Sequence, residues 1–157
     1  TAPHRDRADG IVKGSKPLLY NGILIEDLSL TFKDGRVVDC SARENAETLG
    51  HLLETDEGSR YLGEIALVPY DSPISNTGIL FYNTLFDENA ACHFALGEAY
   101  PTTIGGEDRS EETLQRKGLN TSLSHEDFMV GAADTAIDGI TAFGERIAVF
   151  RDGNFVF

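Results

Sequence analysis

The spacing of hydrophobic and polar positions changes several times along the chain, and each change marks an element. Residues 1–17 carry charge, Gly and Pro without a sustained period, and Pro3 and Pro17 discourage helix, so this stretch reads as loop with at most one short strand. Over residues 18–38 the apolar positions come in short runs, at 18–20, 23–25, 28–32 and 36–38, and the third alternates cleanly between apolar and polar. Lys33-Asp34-Gly35 predicts a hairpin turn there, because Asp-Gly tolerates positive φ. An antiparallel meander is expected.

The period then lengthens. Ser41 as a cap, Glu44 three residues later, and Ala46, Leu49, Leu52 and Leu53 at helical spacing predict a helix over 43–54. Thr55, Asp56 and Glu57 open a second, short helix to about Leu62. Residues 64–68 read as a largely buried strand stopped by Pro69, and Glu64 is its one polar residue. A turn-rich loop follows, then an apolar run over 78–86. The stretch 87–100 predicts a helix from about Asn89: its acids suit the positive end of a helix dipole, and small or apolar residues follow. On that helix His93 and Tyr100, seven residues apart, share one face.

Pro101 ends this element. Residues 102–120 form a polar excursion with a short helix around 110–117, and a strand over 123–130 puts His125, Asp127 and Met129 on one face. A final hairpin joins 146–150 to 155–157 through Asp152-Gly153. The whole reads as one α+β domain over residues 1–157, an antiparallel or mixed β-sheet with flanking helices.

Charge narrows the possible partners. With 26 acids against 13 bases the net charge is −13, a field that repels phosphate backbones and concentrates cations, so no nucleic acid is expected. No apolar run approaches the roughly 18 residues of a membrane span, and no signal peptide is expected. Cys40 and Cys92 form no C-x-x-C pair and read as reduced thiols, which with the missing signal points to a cytoplasmic protein. The opening run Thr1-Ala2-Pro3-His4-Arg5 resembles an internal stretch, so the chain is expected to be part of a longer or processed protein.

Six polar residues stand where apolar ones would be expected: Glu64, Glu88, His93, Tyr100, His125 and Asp127. Each alone has a structural explanation, as a strand end, a helix-dipole acid, a hydrogen-bonded core histidine or a packed ring. Together they have the composition of a divalent-metal hydrolase, with imidazole nitrogens, several carboxylates and no thiolate. A Glu on a rigid strand suits the bridging of two cations about 3.5–4 Å apart, which bring the pKa of a coordinated water to about 7. Tyr100 can hydrogen-bond a developing oxyanion. His4 and His51 read as surface residues. The chain contains no H-E-x-x-H, G-x-S-x-G, P-loop or G-x-G-x-x-G.

The runs Leu62-Gly63-Glu64-Ile65-Ala66-Leu67-Val68-Pro69, Phe81-Tyr82-Asn83-Thr84-Leu85-Phe86-Asp87-Glu88-Asn89-Ala90, Ala99-Tyr100-Pro101 and His125-Glu126-Asp127-Phe128-Met129, with the opening run, resemble the C-terminal portion of the thermophilic metallo-aminopeptidases, the family of aminopeptidases T and S. The resemblance covers essentially the whole chain. It implies the C-terminal catalytic portion of a two-domain aminopeptidase, a homodimeric cytoplasmic enzyme that releases N-terminal amino acids from peptides. Two divalent metal ions, zinc, cobalt or magnesium, are implied on Glu64, Glu88, His93, His125 and Asp127, with Glu64 and Tyr100 catalytic. A further Glu ligand is implied just upstream of Thr1, together with an N-terminal domain. The alternative function is a non-catalytic binding or dimerisation domain with at most one weak metal site.

Overall fold

A computed structural model describes all 157 residues. The first half is a meander. Strand β1 (Gly10–Lys13) pairs antiparallel with β4 (Ser29–Lys33), which pairs with β5 (Arg36–Ser41), while β2 (Leu18–Tyr20) and β3 (Ile23–Ile25) form their own hairpin. The predicted turn between β4 and β5 is present: Lys33 faces Arg36, and Asp34 and Gly35 take φ of 49° and 83°. Helix α1 (Ala46–Leu53) starts three residues later than the sequence pattern suggests. Ser41 is taken by the sheet, paired with Ser29, and Asn45 stands at the cap position with its amide donating to the Leu24 carbonyl at 2.6 Å. The predicted short helix after Thr55 is only a 3₁₀ turn at Gly58–Arg60.

A second antiparallel sheet is made of β6 (Leu62–Ala66), β7 (His93–Gly97) and β8 (His125–Met129), with β7 in the middle. Helix α2 (Thr84–Asp87) precedes β7, and α3 (Glu111–Arg116) lies in the excursion before β8. A third sheet closes the chain: β9 (Ile137–Ile140), β10 (Arg146–Arg151) and β11 (Asn154–Phe155). The β10–β11 hairpin was expected, whereas β9 was not. Antiparallel sheets with a few short helices are the α+β architecture that the sequence pattern implies. Cys40 and Cys92 are both free.

The predicted helix over 89–100 does not form. The chain makes a 3₁₀ turn at Glu88–Ala90 and then enters β7, so His93 and Tyr100 do not share a helical face. A central strand is covered on both sides and reads as an unbroken apolar run, the one pattern that periodicity cannot separate from a buried helix. The acid taken for the start of that helix also acts elsewhere. Asp87, buried at the end of α2, accepts the backbone N–H groups of Phe81 and Asn83 at 2.9 and 3.0 Å.

The main core joins the meander, α1 and one face of the second sheet. Leu30, Phe32 and Val37 meet Leu49, Leu52 and Leu53, and Leu62, Leu96 and Phe128 complete the cluster. Each such side chain contributes about 1.5–3 kcal/mol by leaving water. One face of the β6–β7–β8 sheet is therefore committed to the core, which leaves the opposite face for chemistry.

Candidate metal centre

Register decides which residues stand on that second face. Glu64, Ala95 and Asp127 form one row across the three strands; His93 lies between Ala66 and Met129, and Gly97 faces His125. Alternation then places Glu64, His93, His125 and Asp127 together, while Phe94, Leu96 and Phe128 point into the core. The middle strand contributes only Ala95 and Gly97 between the ligating groups, so its backbone is the floor of the site.

Glu64 reaches this face through an irregularity. Leu62 and Glu64 are two residues apart and would normally share a side, but the pairing slips at Gly63: Leu62 faces Leu96 and Glu64 faces Ala95. This β-bulge sends Leu62 to the core and Glu64 to the site. Only glycine fits at its apex, because a Cβ on Gly63 would lie 2.2 Å from the Glu98 carbonyl oxygen and 2.5 Å from that of Gly97.

Both imidazoles are aimed by main-chain carbonyls. His93 Nδ1 is 3.1 Å from the Ala91 oxygen and His125 Nδ1 is 2.7 Å from the Glu98 oxygen. Each Nδ1–H donates to its carbonyl, which leaves Nε2 facing the acids. Glu64 stands between them, with Oε1 3.8 Å from His93 Nε2 and Oε2 3.8 Å from His125 Nε2. Asp127 Oδ2 lies 3.6 Å from His125 Nε2. Two overlapping sets of ligand atoms result, Glu64–His125–Asp127 and Glu88–His93–Asp127, each gathered within 4.8 Å and sharing Asp127.

The electrostatics are those of crowded acids. His125 is drawn up to about 9, chiefly by the Asp127 carboxylate beside it and further by the Glu98 carbonyl and the charge of Glu64, against the opposing effect of burial. Glu88 is raised by burial first, then by repulsion from Asp127 and Glu64. His125 and Glu88, both raised, thus hold protons more tightly than usual in this part-buried cluster, and cations would displace them. A set of nitrogen and oxygen donors without thiolate fits zinc, cobalt, manganese or magnesium.

All six candidate residues converge here, by a route different from the predicted helix. Glu88 enters from the 3₁₀ turn before β7. Tyr100 enters after the strand ends, its ring centroid 5.0 Å from that of His125 and its side chain 54% exposed, on the wall of a cleft of about 220 Å³ that also includes Glu64, Thr102 and Thr103. His4 and His51 are exposed and stand apart from the cluster, as expected. Gly63 is one further residue the site depends on, and its sequence signal is a lone Gly in a strand pattern, which marks a bulge. The carbonyls of Ala91 and Glu98 carry no side-chain signal at all.

The family described as thermophilic metalloprotease (M29) matches this chain over residues 1–155. Aminopeptidase 2 of Geobacillus stearothermophilus is 58% identical over 100% of the chain, which covers 38% of that relative. Aminopeptidase T of Thermus aquaticus is 46% identical over 99% of the chain, again 38% of the relative. The solved structure of wild-type AmpT from Thermus thermophilus superposes with a TM-score of 0.93 at 44% identity, over 99% of this chain and 38% of its own. The chain therefore spans 38% of the length of the relatives it matches.

Proposed function

Since this chain belongs to the thermophilic metalloproteases, the M29 family, we propose that residues 1–157 form the catalytic portion of an aminopeptidase and that the acid–imidazole cluster holds two divalent cations. The observation that carries this reading is the position of Glu64, with one carboxylate oxygen facing each histidine, while Asp127 belongs to both ligand sets. On this reading Glu64, His125 and Asp127 would hold one cation and Glu88, His93 and Asp127 the other.

Cations so held supply Lewis-acid polarisation of the scissile carbonyl and a water nucleophile at neutral pH. The remaining work falls to the chain itself. Ala95 and Gly97 leave room above the floor, and the two backbone carbonyls hold each Nε2 in line. Tyr100, exposed in the cleft beside His125, directs its hydroxyl at the oxyanion of the tetrahedral intermediate, a contact that strengthens as charge develops. Peptides with a free N-terminus are the substrates. A homodimer in the cytoplasm is the proposed setting, and no helix is long and apolar enough to cross a membrane.

Calorimetric titration with cobalt, run alongside hydrolysis of an aminoacyl reporter, tests the assignment. Two ions per chain are expected, and His93→Ala abolishes hydrolysis while the fold persists. One weak site and no turnover would instead identify a binding or dimerisation domain. Activity retained by His93→Ala with normal metal content would refute the ligand set.

A further inference from the structure

The first residue of β8, His125, takes its orientation from a carbonyl, and the residue owning that carbonyl is tied down on three sides. Glu98 follows Gly97, where the backbone turns with φ of 102°. Its N–H donates to the Ser124 carbonyl at 2.7 Å, and its own carbonyl accepts His125 Nδ1–H at 2.7 Å. Its side-chain Oε2 accepts the Ser122 N–H at 2.6 Å. Asp56 holds the same loop from the other side, with Oδ1 accepting the Ser122 hydroxyl at 2.8 Å and Oδ2 the Leu123 N–H at 2.6 Å. The side-chain amide of Asn120, fully buried, donates to the Gly97 carbonyl at 2.6 Å and to that of Gly58 at 2.8 Å, and the main-chain carbonyl of Asn120 accepts the Ala99 N–H at 3.1 Å.

We infer that Glu98 is a positioning residue of the metal centre: its carboxylate locks the loop entering β8, so that its carbonyl aims the His125 imidazole at the ligand cluster. This rests on the metal-binding reading above. The Glu98 carboxylate is bonded to the Ser122 N–H, and Glu98 meets the cluster only through its main-chain carbonyl, so its contribution is geometric. Without the Ser122 contact the peptide between Glu98 and Ala99 keeps the Asn120 bond on its N–H side alone, so the carbonyl that fixes His125 Nδ1 shifts and Nε2 no longer stays in line. Groups that orient a metal-ligating histidine are worth about 10–100-fold in metal affinity.

The test pairs two variants with two readouts. Glu98→Ala removes the acceptor, whereas Glu98→Gln keeps an amide oxygen for the Ser122 N–H. In the metal-free protein, the slowly exchanging His125 Nδ1–H signal in proton NMR is expected to persist in wild type and Glu98→Gln and to vanish in Glu98→Ala. In cobalt titration, Glu98→Ala is expected to bind about 10–100-fold more weakly than wild type. Glu98→Gln is expected to restore most of that loss, and in a His125→Ala background Glu98→Ala is expected to cost nothing more. A Glu98→Ala protein that keeps both the signal and wild-type affinity overturns the inference. An equal loss in the His125→Ala background overturns it too, since the damage would then be general. A wild-type protein that takes up no cobalt refutes the metal reading instead, while the NMR signal still decides the role of Glu98.

Discussion

The Gly63 bulge makes a sharp demand on packing that a single methyl group tests. In Gly63→Ala the new Cβ meets two backbone oxygens, at 2.2 and 2.5 Å, and both belong to the turn leaving β7. Neither is the flexible end of a side chain. To bring the closer contact to about 3 Å the strands must separate by about 0.8 Å. Overpacking of this kind costs about 1–3 kcal/mol or more. In a domain of this size each kcal/mol lowers the melting temperature by about 2–4 °C, so a drop of about 2–12 °C is expected by circular dichroism. Gly50→Ala is the matched control: Gly50 lies inside α1, its added Cβ meets nothing within 4 Å, and replacing glycine in a helix stabilises by about 0.5–1 kcal/mol. Because the displaced carbonyls include the one that orients His125, Gly63→Ala is also expected to weaken cobalt binding, which Gly50→Ala leaves alone. Equal melting temperatures for Gly63→Ala and wild type would refute the claim that glycine is required at the bulge.

Further outcomes follow from the same geometry. His125 sits at about 9 in the folded chain against an ordinary 6.5, so its charge stabilises the metal-free fold fully below about pH 6.5, and that stabilisation is lost as the pH rises through about 9. Melting of the metal-free protein is expected to fall across that window in wild type but not in His125→Ala. The same proton competes with cobalt, so affinity measured by calorimetry is expected to tighten by about tenfold per pH unit between 7 and 9, with a flatter profile for His125→Ala. Tyr100→Phe is expected to lower kcat by about 10²–10³ at unchanged metal content, measured by reporter hydrolysis together with elemental analysis. Phe128→Ala empties the centre of the core, where the ring is 1% exposed and packs edge-on against Phe94, and is expected to cost about 3–5 kcal/mol in denaturant unfolding.

What could be read from the sequence divides along a physical line. Turns with a chemical signature, such as Asp34-Gly35, and strands with one polar face, such as β8 with its alternating His125 and Asp127, follow from local rules. That these acids and histidines gather in one candidate cluster was legible for a related reason, since such residues in apolar surroundings are conspicuous wherever the chain carries them. The element holding His93 was not legible. Its conformation is set by β6 and β8 on either side, partners that local sequence does not name, and a strand between two covered faces resembles a helix in composition. Ser41 misled in the same way, because pairing with Ser29 outweighed its preference for a cap.

Ala95 stands directly between Glu64 and Asp127 in the cross-strand row, fully buried, and offers only a methyl group. Side chains opposite one another in such a row have their Cβ atoms about 4.5–5.5 Å apart, so any larger group at this position occupies the very space the ligating atoms enclose. The tolerance of the protein for change at residue 95 is thus a size filter that has nothing to do with ligand chemistry. A bulky aliphatic there yields an occluded centre whose acids and imidazoles are all still present. Such a variant is a cleaner inactive reference for substrate trapping than one stripped of a ligand, since it keeps the charge of the site while denying it a cargo.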